Sequence, residues 1–351
     1  MKRSIRTLMF LAAIFTLTGC AGTPTFITPN SSVSADQAGL YRILIGLSIV
    51  VFVFVEAWLV YNIIRFRRRD GDDSLPQQVY GNNRLEIIWT AIPLLLVAVL
   101  FGLTVSTVNA VSAPAPLADD LNLQVVGHQW WWEFDYPDLG ILTANELHVP
   151  VGKTVQITLF SNDVIHSFWV PQLSGKVDVI PGQTNHLWFK ADTLGEFHGQ
   201  CAEFCGLNHA NMRIKVVVES QADFDAWVAN QQKPPAQPQT DLQKKGYDIV
   251  TGGICHSCHT LGDNKSEKES NPQTPAGPGQ AGVQLAARGG GPNLTHLMSR
   301  SVFAGATYEL NEANLRRWLQ DNQSMKPGND MSINPSASDI EALIAYLTTL
   351  K

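Results

Sequence analysis

Two apolar runs, each long enough to cross a lipid bilayer, constrain the fold of this chain more than any other feature. The first covers residues 43–64 and is interrupted by Glu56, and the second covers residues 87–108 and carries no charge. About 20 apolar residues span the hydrocarbon core of a bilayer. Four arginines lie in the segment 65–69 between the runs. The positive-inside rule therefore predicts a two-helix transmembrane hairpin with a cytoplasmic loop, and everything after residue 108 is then extracytoplasmic.

Glu56 lies inside the first apolar run, where a charged side chain is costly. Such residues usually face a protein interior or a water-filled path. A lone two-helix hairpin offers little against which this carboxylate could be buried, so Glu56 indicates an integral membrane partner. The alternative is that Glu56 lies close enough to the interface to stay hydrated.

The N-terminus has the pattern of an export signal over residues 1–19. Basic residues precede a short apolar run, and the run closes on Leu-Thr-Gly directly before Cys20. A small residue at the cleavage site is typical of an export signal. A cysteine directly after it is typical of bacterial lipoproteins and predicts acylation of Cys20. The alternative is a plain signal peptide followed by an incidental cysteine.

Composition narrows the class of protein. Only 16% of the 351 residues are charged, which is low for a soluble globular chain and agrees with a membrane portion. Residues 112–240 hold six basic and fourteen acidic residues, a net charge of −8. This charge argues against a nucleic-acid partner and favours a basic protein partner. Five cysteines, four of them in two close pairs, are too few for a disulfide scaffold.

The extracytoplasmic part divides at a linker over residues 231–240, which holds three prolines and four glutamines. Before the linker, short β-type runs separated by turn residues predict a β-sandwich or barrel. After it the pattern is helical, with a capping box from Ser338 to Glu341 and a surface insertion over residues 263–291, rich in Gly, Pro, Ser and Gln. The β-type runs before the linker cover residues 121–126, 154–160, 186–189 and 213–218. The predicted domains are 1–19 (signal), 20–110 (N-terminal segment and hairpin), 111–230, 231–240 (linker) and 241–351.

The densest group of metal-ligating residues lies between residues 201 and 212. Two thiols, an imidazole and a thioether occur within these twelve residues: Cys201, Cys205, His209 and Met212. Soft sulfur ligands together with imidazole select copper over calcium or magnesium. Two thiolates with so few other ligands suggest sharing between two ions, and His166 is the best candidate for a second histidine. A disulfide and a structural zinc are the alternatives, and the methionine argues against zinc.

This cluster resembles the binuclear copper A motif of cytochrome c oxidase subunit II, and the resemblance covers nearly the whole chain up to the linker. It implies a cupredoxin-like all-β Greek-key barrel over residues 111–230. It also implies that Glu203 touches a magnesium ion at the border with subunit I. The implied copper ligands are Cys201 and Cys205 as bridging thiolates, His166 and His209 as one terminal ligand each, and Met212 and the carbonyl of Glu203 as weaker ligands.

Two further stretches resemble the same family. Residues 127–132 contain three adjacent tryptophans, and Trp130 matches the tryptophan through which electrons enter this subunit. Strand alternation would place Trp130 and Trp132 on one face and Trp131 on the other, so core packing is the alternative for at least one of them. Glu86, at the head of the second apolar run, matches a glutamate that opens a proton path in subunit I. A solvated cap residue is the alternative for Glu86.

A second cofactor site is predicted by the sequence Cys-His-Ser-Cys-His at residues 255–259. Two thiols at this spacing can form thioethers to the haem vinyl groups, and the adjacent histidine reaches the iron. Cys255, Cys258 and His259 are therefore predicted to bind one covalent haem c, with a redox dithiol as the alternative. Met331, in a Pro-Gly-x-x-Met turn that resembles class I c-type cytochromes, is predicted as the distal ligand in preference to Met325. The domain over 241–351 is then expected to be all-α.

Taken together, the resemblance implies a haem-c-fused subunit II of the caa type in a bacterial haem–copper terminal oxidase. Cytochrome c would reduce the haem, the copper pair would take the electron next, and haem in subunit I would receive it. Dioxygen is reduced to water there, with proton pumping, so this chain carries electrons and lacks the dioxygen site. The expected partners are subunit I, other oxidase subunits, a cytochrome c donor and the membrane. The chain is expected in the bacterial inner membrane, with its copper and haem domains on the periplasmic side.

Two other functions stay open at this point. One is the copper A subunit of a nitric oxide reductase, and Glu86, Glu203 and the fused cytochrome favour the oxidase over it. The other is a lipid-anchored electron shuttle or copper carrier. Two membrane spans with Glu56 argue against a shuttle, because a lipid anchor or a single span would suffice.

Overall fold

The computed structural model describes residues 24–67, 71, 78, 80–112, 114, 117–262 and 290–351. The signal over 1–19, Cys20 and most of the insertion over 263–291 lie outside the described residues, and their predictions stay untested. The chain divides into two compact units, residues 33–114 and the remainder.

The first unit contains two long apolar helices, α1 (Ser32–Arg65) and α2 (Asn83–Val111). Both are long and apolar enough to span a membrane, and they contain the predicted spans 43–64 and 87–108. Asn82 caps α2 by accepting hydrogen bonds from the amides of Arg84 and Leu85. Most apolar side chains of the two spans are exposed in the isolated chain, as expected of helices that face lipid or other subunits.

The second unit begins with a domain of two five-stranded sheets packed face to face. The strands are β1 (Leu121–His128), β2 (Trp131–Tyr136), β3 (Ile141–Ala144), β4 (Glu146–Pro150), β5 (Thr154–Ser161), β6 (His166–Trp169), β7 (Val177–Val179), β8 (Asn185–Lys190), β9 (Gly195–Cys201) and β10 (Arg213–Glu219). Their order is β3-β2-β1-β5-β8 in one sheet and β4-β10-β9-β6-β7 in the other. Each sheet contains one parallel pair, β1 with β5 and β4 with β10.

Large apolar side chains fill the space between the two sheets. Trp132, Phe134 and Phe168 are fully buried, and both Trp132 and Phe134 meet Phe168 edge-on. Edge-to-face aromatic pairs stabilise a core beyond the area that they bury. Helix α3 (Gln221–Gln231) follows the last strand, and its Trp227 packs on Tyr136. The four β-type runs predicted from the sequence all lie in observed strands.

The C-terminal region after the linker is small and mostly helical. Its helices are α4 (Asp241–Gly252), α5 (Glu312–Met325) and α6 (Ala337–Leu347). Helices α4 and α6 cross so closely that a Cβ atom at Gly246 would lie 2.1 Å from the carbonyl oxygen of Ala342. A short 3-10 helix, Ile254–Ser257, follows α4.

Two details of this region differ from the sequence predictions. The region is not all-α, because β11 (Val302–Phe303) and β12 (Tyr308–Glu309) pair as a hairpin. The capping box is wrong by two residues: Ser336 caps α6 and exchanges two hydrogen bonds with Asp339. Ser336 is the better N-cap because Asp339, three residues further on, both donates its amide hydrogen to the Ser336 hydroxyl and accepts the hydroxyl hydrogen with its carboxylate. Glu341 makes no such pair of hydrogen bonds with Ser338 in the described structure.

Candidate metal centre

The strands β6, β9 and β10 bring the predicted copper ligands to one end of their sheet. Cys201 ends β9, Met212 directly precedes β10, and the two strands pair in antiparallel register. The loop between them, residues 202–211, is called the copper loop below. It is closed by a hydrogen bond from the amide of Cys201 to the carbonyl of Met212, at 2.8 Å. His166 opens β6, which pairs with β9.

The ligand atoms lie within a few ångströms of one another. The sulfur atoms of Cys201 and Cys205 are 3.8 Å apart. His166 Nδ1 lies 3.9 Å from the sulfur of Cys201, and His209 Nδ1 lies 3.6 Å from that of Cys205. The sulfur of Met212 is 3.8 Å from the sulfur of Cys205, and the carbonyl oxygen of Glu203 is 3.2 Å from the sulfur of Cys201. All six predicted donors therefore surround one small space.

The arrangement suits soft metal ions. The ligand atoms of His166, Cys201 and Cys205 all lie within 4.8 Å of one another, and these residues are buried. The described cysteines are free thiols, so Cys201 and Cys205 form no disulfide. Their contact lowers the pKa of Cys201 and raises that of Cys205, because the two sulfur atoms compete for one proton. Thiolates, imidazoles and a thioether are the donor set that copper prefers.

Asp163 holds His166 in place and was missed by the sequence analysis. Its Oδ1 lies 2.6 Å from Nε2 of His166, which leaves Nδ1 facing Cys201. Burial raises the pKa of Asp163, but the hydrogen bond and charge of His166 together with the amide of Val164 outweigh burial, and the pKa falls below its usual value. Outer carboxylates of this kind fix the ring orientation of metal-binding histidines. A carboxylate three residues before a candidate histidine is the signal that could have revealed it.

Gln129 and Trp130 connect the first sheet to the copper loop. The side chains of both donate to the carbonyl of Cys205, at 2.7 Å and 2.9 Å. Trp130 lies in the turn between β1 and β2, so the predicted alternation applies only to Trp131 and Trp132, and all three indoles are buried. Trp130 therefore contacts the backbone of a predicted copper ligand directly.

The second predicted site lies in the C-terminal region. Cys255 lies within the 3-10 helix Ile254–Ser257, Cys258 caps its C-terminal end, and His259 Nδ1 lies 2.7 Å from the carbonyl of Pro292. Burial lowers the pKa of His259, so the ring is neutral at pH 7, the form that ligates a metal. A Cβ atom at Gly291 would lie 2.5 Å from the imidazole, so only glycine fits beside it.

Met331 lies on the same small apolar core as Cys255. Its sulfur is 3.1 Å from the indole nitrogen of Trp318, a residue that the sequence analysis did not single out. Trp318 also meets Phe303 edge-on in that core. A neutral histidine, a thioether and two free thiols, of which Cys255 and Met331 pack on the apolar core, form a donor set that fits a covalent haem.

Glu86 lies in the first turn of α2. Its carboxylate accepts a hydrogen bond from the amide of Asn82 at 3.3 Å, and the side chain is exposed. This contact agrees with the cap alternative and leaves the predicted proton role open. Glu203 is exposed at the tip of the copper loop, where only its carbonyl reaches the cluster.

Comparison with known proteins agrees with this geometry. The profile of cytochrome c oxidase subunit II, transmembrane domain, matches residues 25–105, and that of the periplasmic domain matches residues 140–220. Cytochrome c oxidase subunit 2 of Alkalihalophilus pseudofirmus is 36% identical over 343 residues, which cover 95% of this chain and 94% of the relative. Its counterpart in Bacillus subtilis is 35% identical over 371 residues, which cover 100% and 99%.

A solved structure is also similar. The periplasmic domain of subunit II of cytochrome oxidase from Bradyrhizobium japonicum is 37% identical, covers 34% of this chain and 97% of its own, and has a TM-score of 0.33.

Two apolar helices followed by a cupredoxin-like domain with clustered thiols and imidazoles define a membrane-anchored copper protein of electron transfer. The relatives match this class over nearly their whole length. The chain belongs to the cytochrome c oxidase subunit II family. It is a membrane subunit of an oxidoreductase, part of a haem–copper oxidase complex, and electrons enter that complex through its copper A site.

Proposed function

We propose that this subunit carries a covalent haem c as well as copper A and passes electrons from cytochrome c through both to subunit I. The observation that carries the proposal is the C-terminal turn, where two free thiols precede a half-buried histidine whose Nδ1 contacts the carbonyl of Pro292. This contact leaves Nε2 of His259 as the iron-binding atom. Dioxygen is then reduced to water in subunit I, with proton pumping.

The haem would be held by Cys255, Cys258, His259 and Met331. A histidine and methionine pair gives a raised reduction potential suited to electron carriage. Trp318 supports this assignment, because its indole nitrogen contacts the sulfur of Met331 and keeps that sulfur at the apolar core of the C-terminal region. The relatives from Alkalihalophilus pseudofirmus and Bacillus subtilis align over 95% and 100% of this chain, so the region after the linker belongs to a common architecture.

The copper pair would be bridged by Cys201 and Cys205. His166 and His209 would be its terminal ligands, and Met212 and the carbonyl of Glu203 its weaker ones. The distances given above support this ligand set. When bound at these residues, a copper pair would supply a centre that accepts and donates one electron at a time. The chain itself holds the imidazoles in place and excludes water from the buried thiolates.

The other assigned roles follow the family. Trp130 would be the residue through which electrons enter, Glu86 would open a proton path in subunit I, and the Glu203 carboxylate would bind magnesium at that border. Cys20 would carry lipid. A cytochrome c donor, subunit I and other oxidase subunits are the proposed partners. We keep the predicted domains, with the copper domain over 111–230, the linker over 231–240 and the cytochrome domain over 241–351.

The full chain, purified in detergent, tests both cofactors at once. We expect a mixed-valence copper signal by electron paramagnetic resonance and a c-type spectrum from a haem that resists acid–acetone extraction. The variant C201S should lose the copper signal and keep the haem, and C255S should weaken haem attachment and keep the copper. Each variant is thus the control for the other. A chain that binds copper but no covalent haem would contradict the proposed haem.

The oxidase is favoured over the two alternatives. The curated relatives named above are all cytochrome c oxidase subunits, which argues against a nitric oxide reductase. Two long apolar helices with exposed side chains, including Glu56, favour an integral complex over a lipid-anchored shuttle.

A further inference from the structure

The C-terminal region contacts the copper loop through residues 326–331, called the methionine segment here because it ends on Met331. The side-chain amide of Asn208, directly before His209, donates to the carbonyl of Pro327 at 3.0 Å. Lys326 reaches further, and its ammonium group donates to the backbone carbonyl of Trp130 at 2.8 Å. Asn208 and Lys326 are 1% and 4% exposed. Both polar contacts are therefore part of a dry interface.

The β11–β12 turn touches the same surface. Ala304, Gly305 and Ala306 all have left-handed φ angles, of 52°, 75° and 53°. The carbonyl of Gly305 accepts the amide hydrogen of Arg213, and a Cβ atom at Gly305 would lie 2.8 Å from the carbonyl of Trp130. Such a conformation persists only where the surroundings hold it firmly. The contacts with Arg213 and Trp130 therefore hold this turn against the copper domain.

Lys326 joins these pieces. Besides the carbonyl of Trp130, it donates to that of Ala304 at 3.1 Å, so one side chain ties the turn to the copper domain. Within the methionine segment, Asn329 donates to the carbonyl of Lys326 and accepts from the amide of Met331. The position of Met331 is therefore fixed relative to Lys326, and through Asn208 relative to His209.

Trp130 is enclosed from two sides. Only 9% of this residue is exposed; its indole nitrogen donates to the carbonyl of Cys205 in the copper loop, and its backbone carbonyl accepts from Lys326. Little of Trp130 is therefore open to a separate protein, and its backbone side lies against the C-terminal region.

We propose that Lys326 is a positioning residue for internal electron transfer: it ties the methionine segment to the backbone of Trp130, beside the copper loop, and closes this side of Trp130 to external donors. This inference rests on the function proposed above. The step moves one electron from reduced haem iron, Fe(II) to Fe(III), to the oxidised copper pair, with no proton or bond exchanged. An external reduced c-type cytochrome supplies the next electron to the haem.

The test uses the full chain loaded with copper and haem, and compares K326M with K244M. Lys244 is an exposed lysine of α4, so K244M makes the same substitution in the same domain without touching the interface. One electron is delivered to the haem by a laser-flash ruthenium donor, and haem oxidation and copper reduction are followed together. When two reacting groups are misplaced by about 1 Å, the rate can fall about 100-fold. We therefore expect K326M to slow electron transfer from haem to copper at least about tenfold. K244M should match the unmodified chain.

A structural readout accompanies the rate. Hydrogen–deuterium exchange of peptides that contain Trp130 and residues 326–331 should be faster in K326M than in K244M. A second variant, T307V, removes the hydroxyl that donates to the carbonyl of Asn211 at 3.1 Å and keeps the side-chain shape. T307V should show a smaller change in the same direction, and it decides the question if K326M fails to fold.

Three results would overturn the inference. Unchanged transfer rates in both K326M and T307V would remove the positioning role, and unchanged exchange would remove the docking role. Copper reduction ahead of haem reduction, when the unmodified chain is mixed with reduced cytochrome c, would show that Trp130 is open to external donors. Failure of the underlying function is distinguishable, because the unmodified chain would then lack the covalent haem or the copper signal.

Discussion

At the scale of single residues, the candidate copper site depends on side chains that bind no metal themselves. Asp163 contacts the imidazole of His166, and its other carboxylate oxygen accepts the amide hydrogen of Gln129 at 2.6 Å. Gln129 in turn donates to the carbonyl of Cys205. One carboxylate therefore relates the orientation of a proposed terminal ligand to the position of a proposed bridging one.

Replacing Asp163 tests this relation. We expect D163N to weaken copper binding about 10-fold to 100-fold, the usual cost of removing an outer partner of a metal-binding histidine. Copper titration of the metal-free chain, followed by optical absorption, measures the affinity. D192N changes an exposed carboxylate of the same domain and should bind copper like the unmodified chain. Equal affinity in the two variants would show that Asp163 has no role in orienting His166.

At the scale of elements, a buried charged cluster joins β4, β10 and α3 to the C-terminal region. Both nitrogens of His148 lie 3.1 Å from a carboxylate, that of Glu219 and that of Glu146. Its ring stacks on Trp227 of α3, with centroids 4.6 Å apart. Glu146 also accepts the amide hydrogen of Ser301 at 3.0 Å. His148 therefore holds β4, β10 and α3 together through its two hydrogen bonds and its ring contact.

The cluster predicts a pH-dependent stability. Burial lowers the pKa of His148, but the hydrogen bonds to Glu146 and Glu219 outweigh burial and raise it above 6.5. A group whose pKa is higher in the folded state stabilises the fold fully at pH values below its unfolded-state pKa. This stabilisation is lost as the pH rises through its folded-state pKa. H148Q should therefore cost about 1.5–3 kcal/mol near pH 6, the usual worth of hydrogen bonds to charged groups, and less near pH 9. Thermal unfolding of the detergent-solubilised chain at both pH values measures the difference. A cost that does not change with pH would refute the prediction.

The start of α6 gives a second prediction at this scale. S336A should destabilise the C-terminal region by about 1 kcal/mol, because it removes the hydroxyl that accepts the amide hydrogen of Asp339. S338A is the matched control, and it should stay within about 0.5 kcal/mol of the unmodified chain. Local hydrogen exchange of α6 compares the two. A larger effect of S338A would restore the capping box expected from the sequence.

At the scale of the whole molecule, charge and membrane anchoring agree with a subunit that meets a mobile donor. The net charge of −8 over residues 112–240 lies in the extracytoplasmic part of the chain. Exposed charge of one sign speeds the approach of a partner of the other sign. The donor is therefore expected to be basic.

Salt should reveal this steering. The Debye length falls from about 30 Å at 0.01 M to about 8 Å at 0.15 M ionic strength, so the rate at which a basic cytochrome c reduces the chain should fall over this range. Stopped-flow mixing measures the rate. The internal transfer from haem to copper should be insensitive to the same change, since its interface is buried. A donor rate independent of salt would argue against electrostatic steering.

Local signals in the sequence were enough to predict several parts of this protein. Apolar length predicted the two spans, β-type runs between turn residues predicted four of the ten strands of the copper domain, and the spacing of cysteine, histidine and methionine indicated both candidate cofactor sites, because these properties belong to a few neighbouring residues. Contacts between residues far apart in the chain became visible only in the folded structure. Asp163 beside His166, Lys326 on the carbonyl of Trp130, Trp318 on Met331 and the cap at Ser336 each depend on how chain segments pack or on which of two near-equivalent residues wins a hydrogen bond. A hydrogen bond between residues 196 apart leaves no periodic trace in the sequence, so the contact between the copper domain and the C-terminal region could be found only in the folded chain.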